Sequence, residues 1–373
     1  MYFDEDVVLD LRLNYLNTYI DKFIIVESMY AHNGKKRNLN FDINNFKKFK
    51  DKIIYLVLDH EPPGIVDIND NDNFDIKNGK YILNSMKRDF YQRNFIQNGI
   101  KDVDNDDFIL ISDLDEIPKL DNTNLATIKE KLVFFKQKMF YYKFNLCSKT
   151  IKWTGTRGCK KKHLISPQWL RNIKDRSYPI WRIDILFSKN KYSNIKSIND
   201  GGWHFSYLKT PEGIEKKLRS YAHHREYELN SLSTDEIAKK IDDKESIYNL
   251  KTDTKKSKFE RGQKLTVSNL SELPTYIQKN KDKYKDDNEK TTDILRRTIM
   301  KKLGANVKEN FDNNNVVLKG INETLNKLED KIDEKNGVEK DEIKLEKKQT
   351  FHDKFIKDLQ DNTPHAGQFD EDL

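Results

Sequence analysis

Hydrophobic and polar positions along the first two-thirds of the chain alternate between helical and strand patterns. The chain opens with apolar positions at helical spacing, which predict an amphipathic helix ending near Tyr19. Continuous apolar runs at Phe23–Ser28 and Ile53–Leu58 predict two buried strands, and a Pro-Pro-Gly breaker follows at 62–64. This alternation predicts an α/β sheet with helices on its faces.

The same pattern continues with a further helix and a further strand. Apolar residues from Ile82 to Phe90 lie on one helical face, and Gly99 is placed to end that helix. The run Phe108–Ser112 predicts the next buried strand. Between 139 and 208 the chain has short, aromatic-rich β segments, which we expect to form the second wall of a cleft. Helices return at Pro211, a residue suited to a first helical turn.

The chain changes character after Tyr284. Of its 20 phenylalanines, 17 tyrosines and 4 tryptophans, four lie beyond that point, where charged and amide residues dominate. We therefore predict a folded domain over 1–284 and a charged, mostly disordered extension over 285–373. Apolar residues at 3-4-3-4 spacing predict a short amphipathic helix near 316–335. Its segment 316–332 is a candidate for self-association.

Composition and charge argue against several classes of protein. The net charge of +7 is the difference between 68 basic and 61 acidic residues that interleave, so wholesale nucleic-acid binding is not indicated. The longest apolar runs fall far below the roughly 18 residues of a membrane span. Cys147 and Cys159 lack the count and spacing of a zinc site or a disulfide framework. We expect two free thiols in a soluble chain of the cytoplasm, a reducing compartment.

An acidic motif directly follows the third predicted strand. Within Ser112–Pro118, the side chains of Asp113 and Asp115 point the same way if the backbone is extended, toward the edge where open α/β sheets bind ligands. Their mutual repulsion favours a hard cation between them, Mn²⁺ or Mg²⁺, which carries a diphosphate on its other face. The alternative is a solvated acidic turn that opens a helix. The position after a buried strand favours the metal site.

A second motif, Gly201–Tyr207, places a histidine among glycines and aromatic residues. His204 alternates in phase with Gly202 and Ser206 along a predicted strand. Two interpretations are open: a core histidine, or a neutral imidazole that completes the metal shell of Asp115 or contacts the diphosphate. On these residues alone, the core interpretation is favoured.

Six blocks of sequence, taken together and in this order, resemble glycosyltransferase family 17, the bisecting N-acetylglucosaminyltransferase family. The resemblance covers Met1 to about Tyr284. It implies a GT-A-like nucleotide-sugar fold with a central, mostly parallel sheet, a UDP-N-acetylglucosamine donor, a glycan acceptor and inversion at the anomeric carbon. The blocks are DVVLDLRLNYL, FIIVESMYAHNGK, KIIYLVLDHEPP, YQRNFI, FILISDLDEIP and DGGWHFSYLKTPEGIEKKL.

The resemblance also implies roles for individual residues. Asp113 and Asp115 match the family's DxD motif, and with His204 they become the metal ligands. The nucleotide-binding candidates are Asp113, Glu27, Arg93 and Trp203, and further matching positions are Glu5, Arg12 and Gly34.

The chain departs from the family pattern in two ways. Members usually begin with a further strand of the type KIYDCF, which does not precede Met1 here. The animal enzymes also carry a membrane anchor and work in the Golgi.

Neither motif identifies the catalytic base. Inverting transfer needs a carboxylate that takes the proton of the acceptor hydroxyl. Glu116, Asp184 and Glu212 are candidates, and the first and last are favoured because they lie in blocks that match the family. Two rival functions stay open: a related transferase with a different nucleotide-sugar donor, and a catalytically silent carbohydrate-binding protein of the same fold.

Overall fold

The computed structural model describes residues 1–176, 178, 181, 188, 190–249 and 262–284. The predicted extension, its amphipathic helix and the candidate base Asp184 lie outside the described residues. The division of the chain at 284 therefore stays a prediction.

The helices of the described part follow the apolar patterns of the sequence. The long second helix ends at Asn94 and continues as a 3₁₀ helix over Phe95–Gly99, so the predicted stop at Gly99 is confirmed. Pro211 lies in the first turn of the fourth helix, as predicted. The α helices are α1 (Asp6–Leu16), α2 (Phe74–Asn94), α3 (Pro167–Asn172), α4 (Pro211–Leu218), α5 (His224–Leu229), α6 (Thr234–Asp242) and α7 (Thr275–Lys279).

The strands of the described part form two sheets. Strands β1 and β2 pair in parallel, and the other strands form a seven-stranded sheet with the order β3-β6-β5-β8-β4, in which β7 pairs with β5 and β9 with β6. The strands are β1 (Phe23–Ser28), β2 (Ile53–Leu58), β3 (Phe108–Ile111), β4 (Glu116–Pro118), β5 (Leu132–Tyr141), β6 (Leu146–Lys160), β7 (Ile195–Ile198), β8 (Gly202–Ser206) and β9 (Thr266–Val267).

The α/β class is confirmed, whereas a mostly parallel central sheet is not. In the larger sheet β5 pairs in parallel with β7 and β8, but the pairings β3–β6, β4–β8, β5–β6 and β6–β9 are antiparallel. The reason is the length of the connections. Only residues 142–145 join β5 to β6, and a parallel pair requires a crossover of roughly a dozen residues or more. The prediction is corrected to a mixed sheet.

Apolar side chains on both sides of the larger sheet build the core. One cluster joins Leu11 of α1 to Phe140 of β5 and Phe205 of β8, and it extends to Tyr284. The ring of Tyr284 packs edge to face on Phe144, and its hydroxyl donates to Asp10 Oδ2 at 2.7 Å. Tyr284 is therefore part of the folded core, in agreement with the aromatic pattern of the sequence.

Two further expectations from composition can be compared with the described residues. Cys147 and Cys159 are buried free thiols, as predicted. Among the described helices, none has both the length and the apolar character needed to cross a membrane.

Candidate active site

A cavity of about 670 Å³ lies where the two sequence motifs meet. Asp113 and Asp115 of the acidic motif line it together with His204 and Ser206 of the second motif. The other walls come from the residues that precede α1, from the segment after β1, from α2, β6 and α3, and from the segment between α4 and α5. The fold thus brings together two motifs that are about ninety residues apart, as predicted.

The acidic motif forms a tight turn rather than an extended segment. Strand β3 ends at Ile111 and β4 begins at Glu116, whose backbone N–H donates to the carbonyl of Asp113 at 3.2 Å. The guanidinium of Arg12 holds this turn from α1, because Nη1 donates to the carbonyls of Asp113 and Glu116 at 3.3 and 2.6 Å. The expected extended geometry is wrong, yet both aspartates still line the cavity.

Two arginines share the carboxylate of Asp113. Arg93 Nη2 lies 3.3 Å from Oδ1, and Arg171 Nη2 lies 3.2 Å from Oδ2. Burial alone would raise the pKa of Asp113, but the two guanidinium groups hold it well below its usual range. Asp113 is therefore ionised, and the protein's own cations relieve part of the repulsion that the sequence predicted.

Asp115 lies between a histidine and a lysine. His204 Nε2 is 3.4 Å from its Oδ1, and Lys217 Nζ is 3.6 Å from its Oδ2. Burial opposes ionisation, but these two neighbours lower the pKa of Asp115 to about 2. The same attraction raises the pKa of His204 against the opposing effect of its burial. Asp115 and His204 therefore form an interacting acid–base pair at the cavity wall.

Strand β8 presents alternate faces to the cavity and to the core. His204 and Ser206 line the cavity, whereas Trp203 and Phe205 belong to the hydrophobic core. Trp203 packs edge to face on Tyr15 at 5.3 Å, and its indole N–H donates to the carbonyl of Glu272 at 2.7 Å. The predicted nucleotide-binding role of Trp203 therefore has no support from its position.

Glu116 holds the acidic turn together. Its side chain is fully buried and accepts two hydrogen bonds from Arg171, both at 2.9 Å. It also accepts from Trp153 Nε1 at 2.7 Å and from the backbone N–H of Asp113 at 2.9 Å. Because all these acceptor sites are used and the side chain does not line the cavity, the geometry favours a positioning role over the predicted role as base.

Two other predicted residues lie away from the cavity lining. Glu212, the second candidate base, is exposed in the first turn of α4. Glu27 is fully buried, where it accepts from Arg37 and Tyr55 at 2.8 Å each and from the backbone of Asn40 and Phe41. Glu27 therefore stabilises the segment after β1, and its position does not support nucleotide binding.

Arg171 and Lys217 face the two aspartates, and neither has a role predicted from the sequence. Arg171 follows the apolar pair Trp169-Leu170 in α3, a pattern that indicates burial but not the partner. Lys217 lies between Ile214 and Leu218, the buried positions of α4. The residues next to Arg171 and Lys217 do not reveal these contacts, because the carboxylates come from a distant part of the chain.

Three tyrosines form an aromatic part of the lining: Tyr207, Tyr221 and Tyr248. The rings of Tyr207 and Tyr248 meet edge to face at 6.2 Å, and burial raises the pKa of all three hydroxyls. Tyr207 also has φ +56°, a left-handed backbone conformation that is unusual for an aromatic residue. Aromatic faces with neutral hydroxyl groups suit a ligand that has both apolar faces and hydroxyls.

The acidic turn fits a divalent cation that arrives with a diphosphate. Among the described residues, no group of three or more His, Cys, Asp and Glu side chains is arranged to hold a metal alone. Mg²⁺ commonly binds through one or two carboxylates together with substrate phosphates. Asp115 retains acceptor capacity, because its contacts at 3.4 and 3.6 Å are longer than ordinary charged hydrogen bonds. His204 directs Nε2 toward Asp115, and its Nδ1 lacks a hydrogen-bond partner among the described residues.

Comparison with known proteins identifies the family of this chain. A sequence profile of glycosyltransferase family 17 matches residues 1–286, a range that contains all the described residues of the cavity lining. The chain belongs to glycosyltransferase family 17. The family match includes both the acidic turn and strand β8.

Curated relatives of this family 17 chain come from mammals. The chain is 28% identical over 233 residues to the human and rat β-1,4-mannosyl-glycoprotein 4-β-N-acetylglucosaminyltransferases, and 27% identical to the mouse protein. Each alignment covers 57% of this chain and 40% of the relative. The aligned region thus spans less than half the length of these relatives. No solved structure matches the chain significantly.

Proposed function

We propose that this chain is an inverting glycosyltransferase that moves N-acetylglucosamine from UDP-N-acetylglucosamine to a hydroxyl group of a glycan. The observation that carries the proposal is the acidic turn, whose two aspartates line a cavity beside His204 and Lys217. Family membership and the names of the mammalian relatives support the reaction class and the donor sugar. A GT-A-like arrangement is part of the same proposal.

The acidic turn would hold Mn²⁺ or Mg²⁺ through Asp115, with Asp113 as its second carboxylate. When bound, such a cation acts as a Lewis acid and neutralises charge on the departing UDP. The protein's own task is to keep both aspartates ionised and in place. Arg12 bonds to the backbone of the turn, and Arg93 and Arg171 pair with the Asp113 carboxylate, while His204 and Lys217 face Asp115, so the turn is held in place before substrate binds.

The acceptor hydroxyl needs a proton acceptor behind the anomeric carbon. Glu116 is saturated by its partners and Glu212 is exposed outside the lining, so neither meets the geometric requirement in this structure. Besides Asp184, which lies outside the described residues, the candidates for the base are the carboxylates of the described lining. They are Glu5, Asp89, Asp113, Asp115 and Asp175. The tyrosine-lined part of the cavity is our proposed contact surface for sugar.

A donor screen tests the proposal directly. Purified protein is incubated with UDP-N-acetylglucosamine, other UDP-sugars and GDP-mannose, each with Mn²⁺ or with EDTA, and nucleotide release is measured. We expect release from UDP-N-acetylglucosamine that requires the metal, and transfer to a mannose-containing glycan detected by mass spectrometry. The proton coupling of the new anomeric centre, read by NMR, reports inversion.

Asp115→Ala is the diagnostic variant, and Asp102→Ala is its matched control because Asp102 is exposed. We expect the first to abolish transfer and metal-dependent UDP binding while the fold persists, and the second to behave like wild type. Release from a different nucleotide sugar alone would show that the donor is wrong. Glycan binding without any release would identify a silent carbohydrate-binding protein instead.

A further inference from the structure

Lys217 lies between two carboxylates at the wall of the cavity. Its Nζ is 3.2 Å from Glu5 Oε1 and 3.6 Å from Asp115 Oδ2, and it lies 5.6 Å from the centre of the Tyr207 ring. The two acids come from distant parts of the chain, since Glu5 precedes α1 and Asp115 belongs to the acidic turn. An ammonium group shared in this way remains fully charged.

Helix α4 fixes the position from which Lys217 reaches the cavity. Thr210 caps the helix by accepting from the N–H of Gly213, and Ile214 and Leu218 are fully buried anchors. The carbonyl of Lys217 accepts from the N–H groups of Ser220 and Tyr221 at 3.0 and 3.1 Å. The backbone is therefore held firmly, and the side chain can exchange partners by rotating about its own bonds.

Neither carboxylate holds the ammonium group as tightly as a short ion pair would. Charged N–H···O contacts usually measure about 2.7–2.9 Å, so both distances leave Lys217 available to a stronger anion. A diphosphate carries more charge than a single carboxylate and accepts through several oxygens. Lys217 and a divalent cation repel each other, so contact of the Asp115 carboxylate with one of them weakens its contact with the other.

We propose that Lys217 contacts the diphosphate of the nucleotide, and that in the free protein it neutralises Asp115 in the place that the divalent cation takes when substrate binds. This inference rests on the proposed function and adds to it a specific diphosphate-binding residue. Cation and nucleotide would arrive together, and Lys217 would transfer from Asp115 to a phosphate oxygen while remaining protonated.

Replacing Lys217 should change the affinities for nucleotide and for Mn²⁺ in opposite directions. Lys217→Met removes a contact to the diphosphate, so nucleotide binding weakens. It also removes the cation that competes for Asp115, so Mn²⁺ alone binds the nucleotide-free protein more tightly. A lysine that served only as a structural ion pair would not produce this pair of opposite changes.

Isothermal titration calorimetry of the full chain with Mn²⁺ alone, and then with UDP, GDP and CDP in the presence of Mn²⁺, tests this. We expect Lys217→Met to weaken UDP binding by about tenfold or more and to strengthen Mn²⁺ binding severalfold. Lys217→Arg should recover most of the UDP affinity, because it keeps the charge. Lys216→Met is the matched control, since Lys216 is exposed on the same helix, and it should leave both affinities unchanged.

Removing Lys217 leaves two carboxylates without their shared partner. The double variant Glu5→Gln/Lys217→Met restores the charge balance and replaces Lys217→Met in the experiment if the single variant folds poorly. It should show the same loss of UDP affinity. UDP affinity within twofold of wild type in either folded variant would overturn the inference. Binding of GDP or CDP but not UDP by the wild type would refute the proposed donor, and the variants would then be compared with that nucleotide. Absence of all nucleotide binding would refute both.

Discussion

Replacing Arg171 with methionine tests whether the acidic turn depends on buried charge pairing. Arg171 donates to both oxygens of Glu116 at 2.9 Å, to Asp113 Oδ2 at 3.2 Å and to the carbonyl of Gly155 at 2.6 Å. Glu116 is fully buried, so the substitution leaves its carboxylate with the N–H groups of Trp153 and Asp113 but without the guanidinium group that pairs with both of its oxygens. Breaking a buried pair in this way typically costs about 3–5 kcal/mol of unfolding free energy.

That loss should be visible in thermal unfolding. In a domain of this size, 1 kcal/mol corresponds to roughly 2–4 °C in Tm, so Arg171→Met should unfold about 6–20 °C below wild type. Circular dichroism at pH 7 gives the measurement. Arg219→Met is the matched control, because Arg219 pairs with Glu215 one helical turn away at the surface, where an ion pair contributes about 0–1 kcal/mol.

A charge-balanced variant separates lost charge pairing from lost packing. Arg171→Met/Glu116→Gln removes the uncompensated carboxylate but keeps an amide oxygen for Trp153, so it should recover a substantial part of the lost stability. If Arg171→Met melted within about 2 °C of wild type, the buried network would contribute far less than its geometry implies, and our account of the turn would be refuted.

Three further predictions concern the backbone, pH and the length of the chain. Gly202 has φ +132°, and a Cβ there would lie 2.1 Å from the carbonyl oxygen of Ile117, so Gly202→Ala should lose more than about 2 kcal/mol of stability in denaturant unfolding; a smaller loss would mean that the strand shifts easily. Asp115 raises the pKa of His204, so the stability from their pairing is complete below the unfolded histidine pKa of about 6.5 and is lost as pH rises through the folded value. His204→Gln should flatten that slope in unfolding measured from pH 5 to 9, and an unchanged slope would contradict the pairing. Finally, a chain ending near residue 290 should retain transferase activity and have the same Tm as the full chain. Lost activity or a Tm several degrees lower would show that the extension contributes to the enzyme.

The local patterns of the sequence were sufficient to locate both motifs of the site. A buried strand followed by Asp113 and Asp115 indicated a ligand-binding edge, and the alternation of Gly202, His204 and Ser206 indicated a shared face. The second inference depends only on the alternation of side chains along a strand, which the structure shows for β8. The first placed the aspartates correctly at the end of the strand, although the backbone there turns instead of staying extended. The same reasoning predicted the strands β1 and β2 from their apolar runs. Burial is confirmed for most of β1, whereas in β2 only Leu58 is buried and the other residues are half-buried.

The direction of the strands in the larger sheet could not be predicted from the apolar pattern. The apolar pattern of β5 and β6 is compatible with either direction, and the short connection between them decided for an antiparallel pair. Trp203 was likewise misjudged, because its position beside His204 in the motif places it on the opposite face of the strand.

Tertiary structure alone decided how the charges of the site are balanced. The sequence indicated that Asp113 and Asp115 need a positive neighbour, and it suggested a metal. The fold supplies Arg93, Arg171 and Lys217 from three different helices. Electrostatic attraction depends on distance in space and on burial, and neither is encoded by spacing along the chain. The sequence therefore determined which carboxylates are gathered at the cavity, while the packing of distant helices determined which cations face them.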